Sequence, residues 1–276
     1  MGQRLKNAPV FYTVAQIRHN PILRISDTKT IIEIQDKFRQ LGYPDYQAIP
    51  TIDINLFRPE AGIDSQQMQP TISPFERHTF TNLDASKGFV VDKNAVSFQT
   101  TDYDVFESFL NDFMAGVRIL HECIGYDFIR RIGIRYLDMV THPEGAPGIF
   151  TYLQSGVHGI QQNISSEDDT EGGLRSIHFT RSESKFESRL GTVLARVLIS
   201  GGPLAIPPDL QLGGITVKDK FKSYIGTHAV IDTDASHDKR MHFDIDKLAE
   251  TLDQLHKYAG TAFRSTVTQE ALKAWA

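Results

Sequence analysis

Cysteine is almost missing from this chain: Cys123 stands alone among 276 residues. That excludes an internal disulfide and fits a reducing, cytoplasmic setting. No apolar run approaches the roughly 20 residues needed to cross a bilayer. The opening Met-Gly-Gln-Arg-Leu-Lys-Asn leads into no signal-peptide core, so the expectation is a soluble protein without a membrane partner. Charge of one sign is scarce as well. A formal net charge of −5 argues against a dominant, nonspecific nucleic-acid surface and leaves room only for a local basic patch.

The usual catalytic signatures are also missing. There is no Gly-x-Ser-x-Gly elbow, no His-x-x-x-His or His-Glu-x-x-His helix, and no Gly-x-Gly-x-x-Gly fingerprint. The pairs Gly172-Gly173, Gly201-Gly202 and Gly213-Gly214 lack a P-loop lysine and read as loop punctuation. Cys123 sits in a helical pattern between Glu122 and Ile124, where burial would make the thiol inert.

Hydrophobic residues make up 40% of the chain, enough for a large core. Residues 9–23 read as a strand whose far end is limited by Pro21. A helix follows, with caps offered from Asp27 to Thr30, Glu33 able to complete a capping box with Thr30, and Gly42 and Pro44 as its stop. Strands are expected at 48–58, 71–82 and 88–100, the last folded into a hairpin at Asp92-Lys93-Asn94, with a polar loop at 60–70. The apolar stripe Phe106, Phe109, Leu110, Phe113, Val117, Leu120 and Ile124 makes 103–124 the surest helix, capped by Thr101 or Asp102. The second half predicts strands at 127–140, 174–187, 192–200 and 221–233. It also predicts a short helix at 149–157, an acidic loop at 160–173, a helix at 244–259 ended by Gly260, and a terminal helix capped by Thr268.

The two long helices share a pattern. Leu120, His121, Gly125 and Phe128 recur as Leu255, His256, Gly260 and Phe263 at a common offset of 135 residues. Duplication of one unit is therefore expected, with halves at 1–125 and 126–276 in one compact body. The fold class is α+β: a β-α-β(3-4)-α unit used twice, a mostly antiparallel curved sheet, and two long helices packed on one face. Ile17-Arg18 and Ile134-Arg135 would then occupy matching places.

Several groups invite a chemical reading. Arg18, Arg130, Arg131 and Arg135, with Tyr136 beside them, are strand-borne and could bind carboxylate or phosphate groups, or pair with acids of the sheet. His228, Asp232, Asp234, His237 and His242 are candidate metal ligands by residue type. A solvated turn at 234–240 and a helix cap at Asp244 and Asp246 explain the same residues more simply. No cofactor is expected from any of these patterns. His121 and His256 could form a relay or simply border the core.

Leu5-Lys6-Asn7-Ala8-Pro9-Val10, Ile17-Arg18, Tyr43-Pro44, Gly133 to Asp138, and Leu255-His256 with Phe263, Val267-Thr268 and Trp275 resemble a sporadically distributed family of uncharacterised prokaryotic proteins. The likeness is spread over the whole chain through short motifs. It implies no catalytic residue, and its patchy distribution suits an accessory or toxin-partner role in defence islands. The order of elements also resembles duplicated saddle folds of the TATA-binding-protein type, which bind nucleic acid on a curved sheet. Here the acidic balance and the lack of an aromatic wedge pair set this chain apart. The leading expectation is a non-enzymatic protein that engages a protein partner, with room for self-association. A metal-dependent hydrolase using the His228–Asp246 region and a nucleic-acid binder using the sheet arginines are the alternatives.

Overall fold

The computed structural model describes residues 7–55, 71–142, 148–159, 178–210 and 212–276. Alternation along the strands sets its architecture. In β1 (Val10–His19), Ala15 and Ile17 enter the main core, whereas Val14, Gln16 and Arg18 line the opposite side. After a 3₁₀ turn at Leu23–Ser26 comes α1 (Thr28–Gln40). Of the caps expected between Asp27 and Thr30, Asp27 takes the position, accepting from the Thr30 amide at 3.0 Å.

Four strands follow: β2 (Asp45–Asn55), β3 (Thr71–Thr81), β4 (Lys87–Asp92) and β5 (Ala95–Thr100). The hairpin expected at 92–94 joins the last two. Next come α2 (Phe106–Ile124) and β6 (Phe128–Val140). Neither Thr101 nor Asp102 caps α2, since Val105 holds the cap position without a side-chain bond. Two single 3₁₀ turns, Ile149–Thr151 and Ser155–Val157, replace the short helix expected there. The chain continues through β7 (Phe179–Glu187), β8 (Thr192–Ser200), α3 (Asp219–Lys222), β9 (His228–His237), β10 (Met241–His242), α4 (Ile245–Thr266) and α5 (Gln269–Trp275). The expected loops at 60–70 and 160–173 lie outside the described residues.

Among the described residues, ten strands form one antiparallel sheet in the order β2-β3-β4-β5-β1-β6-β9-β8-β7, with β10 paired to β6. The α+β class is thus correct, and the sheet runs unbroken from the first half of the chain into the second. Its seam is β1 against β6, where Val14 faces Arg135, Gln16 faces Gly133 and Arg18 faces Arg131. Arg130 is the extra residue of a bulge between Arg131 and Ile129.

Apolar residues of α1, α2 and α4 join Ile17, Phe80, Phe98, Ile132 and Ile134 in the main core. Its first-half end is aromatic: Phe38 stacks on Phe80 at 4.6 Å, and Phe89 meets Phe98 at 4.7 Å. Each of these rings contributes about 2–3 kcal/mol by leaving water. Where α2 and α4 run antiparallel, His256 of α4 lies flat on Phe106 at 4.1 Å. In return, His121 of α2 stacks on Phe243 just before α4, at 4.2 Å.

Two expectations fail for identifiable reasons. Gly260 does not end α4, because a second core holding Val267 and Ala271, with Phe263 and Trp275 packed against it, carries the helix on to Thr266. That burial outweighs the ~1 kcal/mol glycine penalty. The strand expected at 221–233 begins late, after α3, and runs on to His237. Asp234, which read as part of a solvated turn, is instead held inside the sheet by an arginine of the next strand.

Candidate functional site

Residues of β1, β5, β6 and β9 that alternate away from the main core meet on the opposite, more open side of the sheet. They surround a cavity of about 610 Å³, a size within the ordinary range for ligand sites. Near its centre, Gln16 donates to the Ser97 hydroxyl at 2.9 Å, and Arg18 donates from Nε to Gln16 Oε1 at 3.3 Å. Arg18 is exposed and pairs with no acid among the described residues.

On β6, Arg131 lies against Asp234 at 3.5 Å and Asp238 at 3.1 Å. Its guanidinium folds over Gly133, where an added Cβ would lie 2.8 Å from Nη1. A side chain at this position would push the guanidinium aside. Arg135 reaches further into the protein and donates to both oxygens of Asp232 at 2.7 Å, a two-pronged pair. The same guanidinium donates outward through Nη1 to Asp209 at 2.5 Å. Burial works against the charged form of Arg135, but its hydrogen bonds to Asp232 and Asp209 more than reverse that penalty and raise its pKa. The hydrogen bond from Arg135 in turn depresses the pKa of Asp209. Asp232 is shared, since Arg196 donates to it at 3.0 Å and to Glu183 at 3.2 Å.

Asp209 comes from a strap, residues 201–210 and 212–224, that crosses part of this side of the sheet. Ile215, Val217 and Phe221 of the strap pack on Phe11, Leu137 and Val230. Its backbone is tied to the β3–β4 turn by the Thr216 amide donating to Ala85 O at 2.7 Å. Gly213, at φ +50°, brings the strap against the sheet where a Cβ would lie 2.5 Å from Val90. Beside it, Gln99 is 5% exposed and its Oε1 has no hydrogen-bond partner among the described residues.

Three of the expected binding residues, Arg18, Arg131 and Arg135, therefore converge on the cavity. Arg130 does not line it; its guanidinium lies 5.5 Å from the Phe128 ring, which Arg240 also approaches at 4.6 Å. Tyr136 belongs to the main core, where its hydroxyl meets His256 Nδ1 at 2.9 Å. Period-two alternation puts adjacent residues 135 and 136 on opposite sides.

The candidate metal ligands separate. Asp232 and Asp234 pair with arginines, His228 meets Gly226 O at 3.0 Å, and His237 meets Leu190 O at 2.5 Å. His242 is exposed on β10. Among the described residues, no three His, Cys, Asp or Glu side chains are grouped to hold an ion.

Away from the cavity, Asp138 is buried and makes no hydrogen bond among the described residues; burial pushes its pKa up to about 8. Burial likewise raises the Cys123 thiol to about 11, in keeping with an unreactive side chain.

Sequence reasoning missed Asp209, Gln16, Ser97 and Gln99. The last three carried a usable signal, because polar residues two apart in apolar strands mark one side of a sheet. Asp209 carried none: it follows two prolines in a segment that read as punctuation. A scan of family models finds no match to the chain, and a search among curated proteins finds no similar protein.

Proposed function

We propose that the protein is a binding or accessory protein whose working surface is the open side of the sheet, where a protein partner docks. The observation that carries this reading is the cavity there, framed by Arg18, Arg131 and Arg135. Asp92, Asp209 and Asp234 line the same space as the arginines, so separate carboxylates spaced along a peptide suit it better than the continuous phosphate charge of a nucleic acid.

The proposal includes a duplicated origin for that surface, in which each half is a β-α-β(3-4)-α unit and the two long helices pack on one face of the sheet. Two features support it. A half-turn about the Gln16–Gly133 pair would exchange Arg18 with Arg135, since each lies two residues beyond its member of the pair. The reciprocal stacks of His121 on Phe243 and His256 on Phe106 would exchange likewise.

The test is capture from native cells with the tagged chain and with Arg18→Glu, followed by mass spectrometry. A protein retained by the native chain and lost with Arg18→Glu supports the reading. Equal retention by both overturns it, as does robust hydrolysis of phosphoester, nucleotide or peptide substrates that depends on one residue of the open side.

A further inference from the structure

Asp209 is a largely exposed side chain that holds a largely buried guanidinium: the side chains are 63% and 9% accessible, respectively. The inner edge of Arg135 is fixed by Asp232, which is itself buried in β9. Because Asp232 also serves Arg196, one buried carboxylate faces two guanidinium groups. A further anion is needed at the outer edge of Arg135, and the strap supplies it from outside the sheet.

We infer that this outer edge is a binding position for a carboxylate of an acidic peptide segment, and that Asp209 fills it as a built-in stand-in. The inference rests on the reading of the open side as a partner surface and names what is recognised there. Replacing one carboxylate by another conserves charge and hydrogen bonding at Arg135, so the exchange itself is close to neutral. The balance is then set by what the incoming segment touches besides Arg135. Arg18 offers a second guanidinium with no acid partner among the described residues. Gln99 offers an oxygen that lacks a donor among the described residues; once its side chain turns toward the cavity a peptide N–H supplies one, which a phosphodiester or a dicarboxylate dianion does not. A cavity of about 610 Å³ admits several residues of extended chain rather than a single ion.

The experiment measures fluorescence anisotropy of a labelled Glu-Gly-Glu-Gly-Glu peptide against the whole chain and two exposed-site variants. Asp209→Asn, which removes the competing charge, is expected to tighten binding about tenfold, and Arg18→Ala to weaken it about tenfold. Denaturant unfolding confirms that both variants remain folded. Unchanged or weaker binding in Asp209→Asn overturns the stand-in role. Glutarate that displaces the peptide at a concentration equal to the peptide's own Kd overturns the peptide assignment in favour of a free dicarboxylate. Binding of a labelled single-stranded oligonucleotide, without binding of the peptide, overturns the carboxylate assignment altogether. If the peptide fails to bind while native capture still depends on Arg18, the inference falls and the partner reading stands.

Discussion

The same strands build two very different surfaces. Toward the main core they present Ile17, Phe80, Phe98, Ile132 and Ile134, which pack with α1, α2 and α4. Toward the open side they present Arg18, Ser97, Gln99, Arg131 and Arg135, and among the described residues a strap crosses part of them. Apolar packing is nondirectional and tolerates substitution of similar volume, whereas the guanidinium–carboxylate ladder depends on each partner's position. The core side therefore carries most of the nondirectional stabilisation, and the open side carries the directional polar groups on which the proposed recognition rests.

Substitutions on the two sides sharpen that contrast. Phe98→Ala empties a core position ringed by Phe89, Phe109 and Phe113 and is expected to cost about 4 kcal/mol, read from the urea midpoint. Peptide binding by the folded fraction should stay the same. Asp232→Asn strips the charge that pairs with two arginines and is expected to cost about 3 kcal/mol while disordering the open side. An Asp232→Asn protein as stable as the native one would show that the ladder contributes nothing to folding.

The third prediction concerns pH. Asp138 binds its proton more tightly in the folded state, with a pKa of about 8, than in the unfolded chain. Between about pH 4 and pH 8 the native state therefore holds the extra proton. Stability falls as pH rises through that window, by up to about 1.4 kcal/mol per unit from this one group. Asp138→Asn should flatten that slope, as measured by unfolding at pH 5, 6.5 and 8. A slope identical to the native one would show that the carboxyl is hydrated. The smallest expected change in stability is for Arg18→Ala, under about 0.5 kcal/mol, because the side chain is exposed and unpaired by acids among the described residues.

How much of this was legible depended on whether the decisive partner was near in sequence. The stripe of α2 and the hairpin at 92–94 depend on residues within a few positions, and both read correctly. The end of α4 did not, because Trp275 and Leu153 in a separate core decide whether the helix passes Gly260. Strand β9 was misjudged for the same reason. Its carboxylates look solvated in isolation, and their countercharges sit on β6 and β8, dozens of residues away. The candidate arginines were visible as types, but the bulge at Arg130 and the inward turn of Tyr136 depend on register across the seam. Asp209 became meaningful only once the strap had brought it to Arg135.

The seam between β1 and β6 also bears on how the chain is made. A ribosome that has finished α2 has already delivered β1 through β5, which can pair among themselves. The free edge of β1 then waits, with its amides and carbonyls unmatched, for a strand not yet synthesised. Exposed edges of that kind invite pairing with a neighbouring nascent chain. That edge is covered only when β6 emerges, and β6 then presents an open edge of its own until β9 is made.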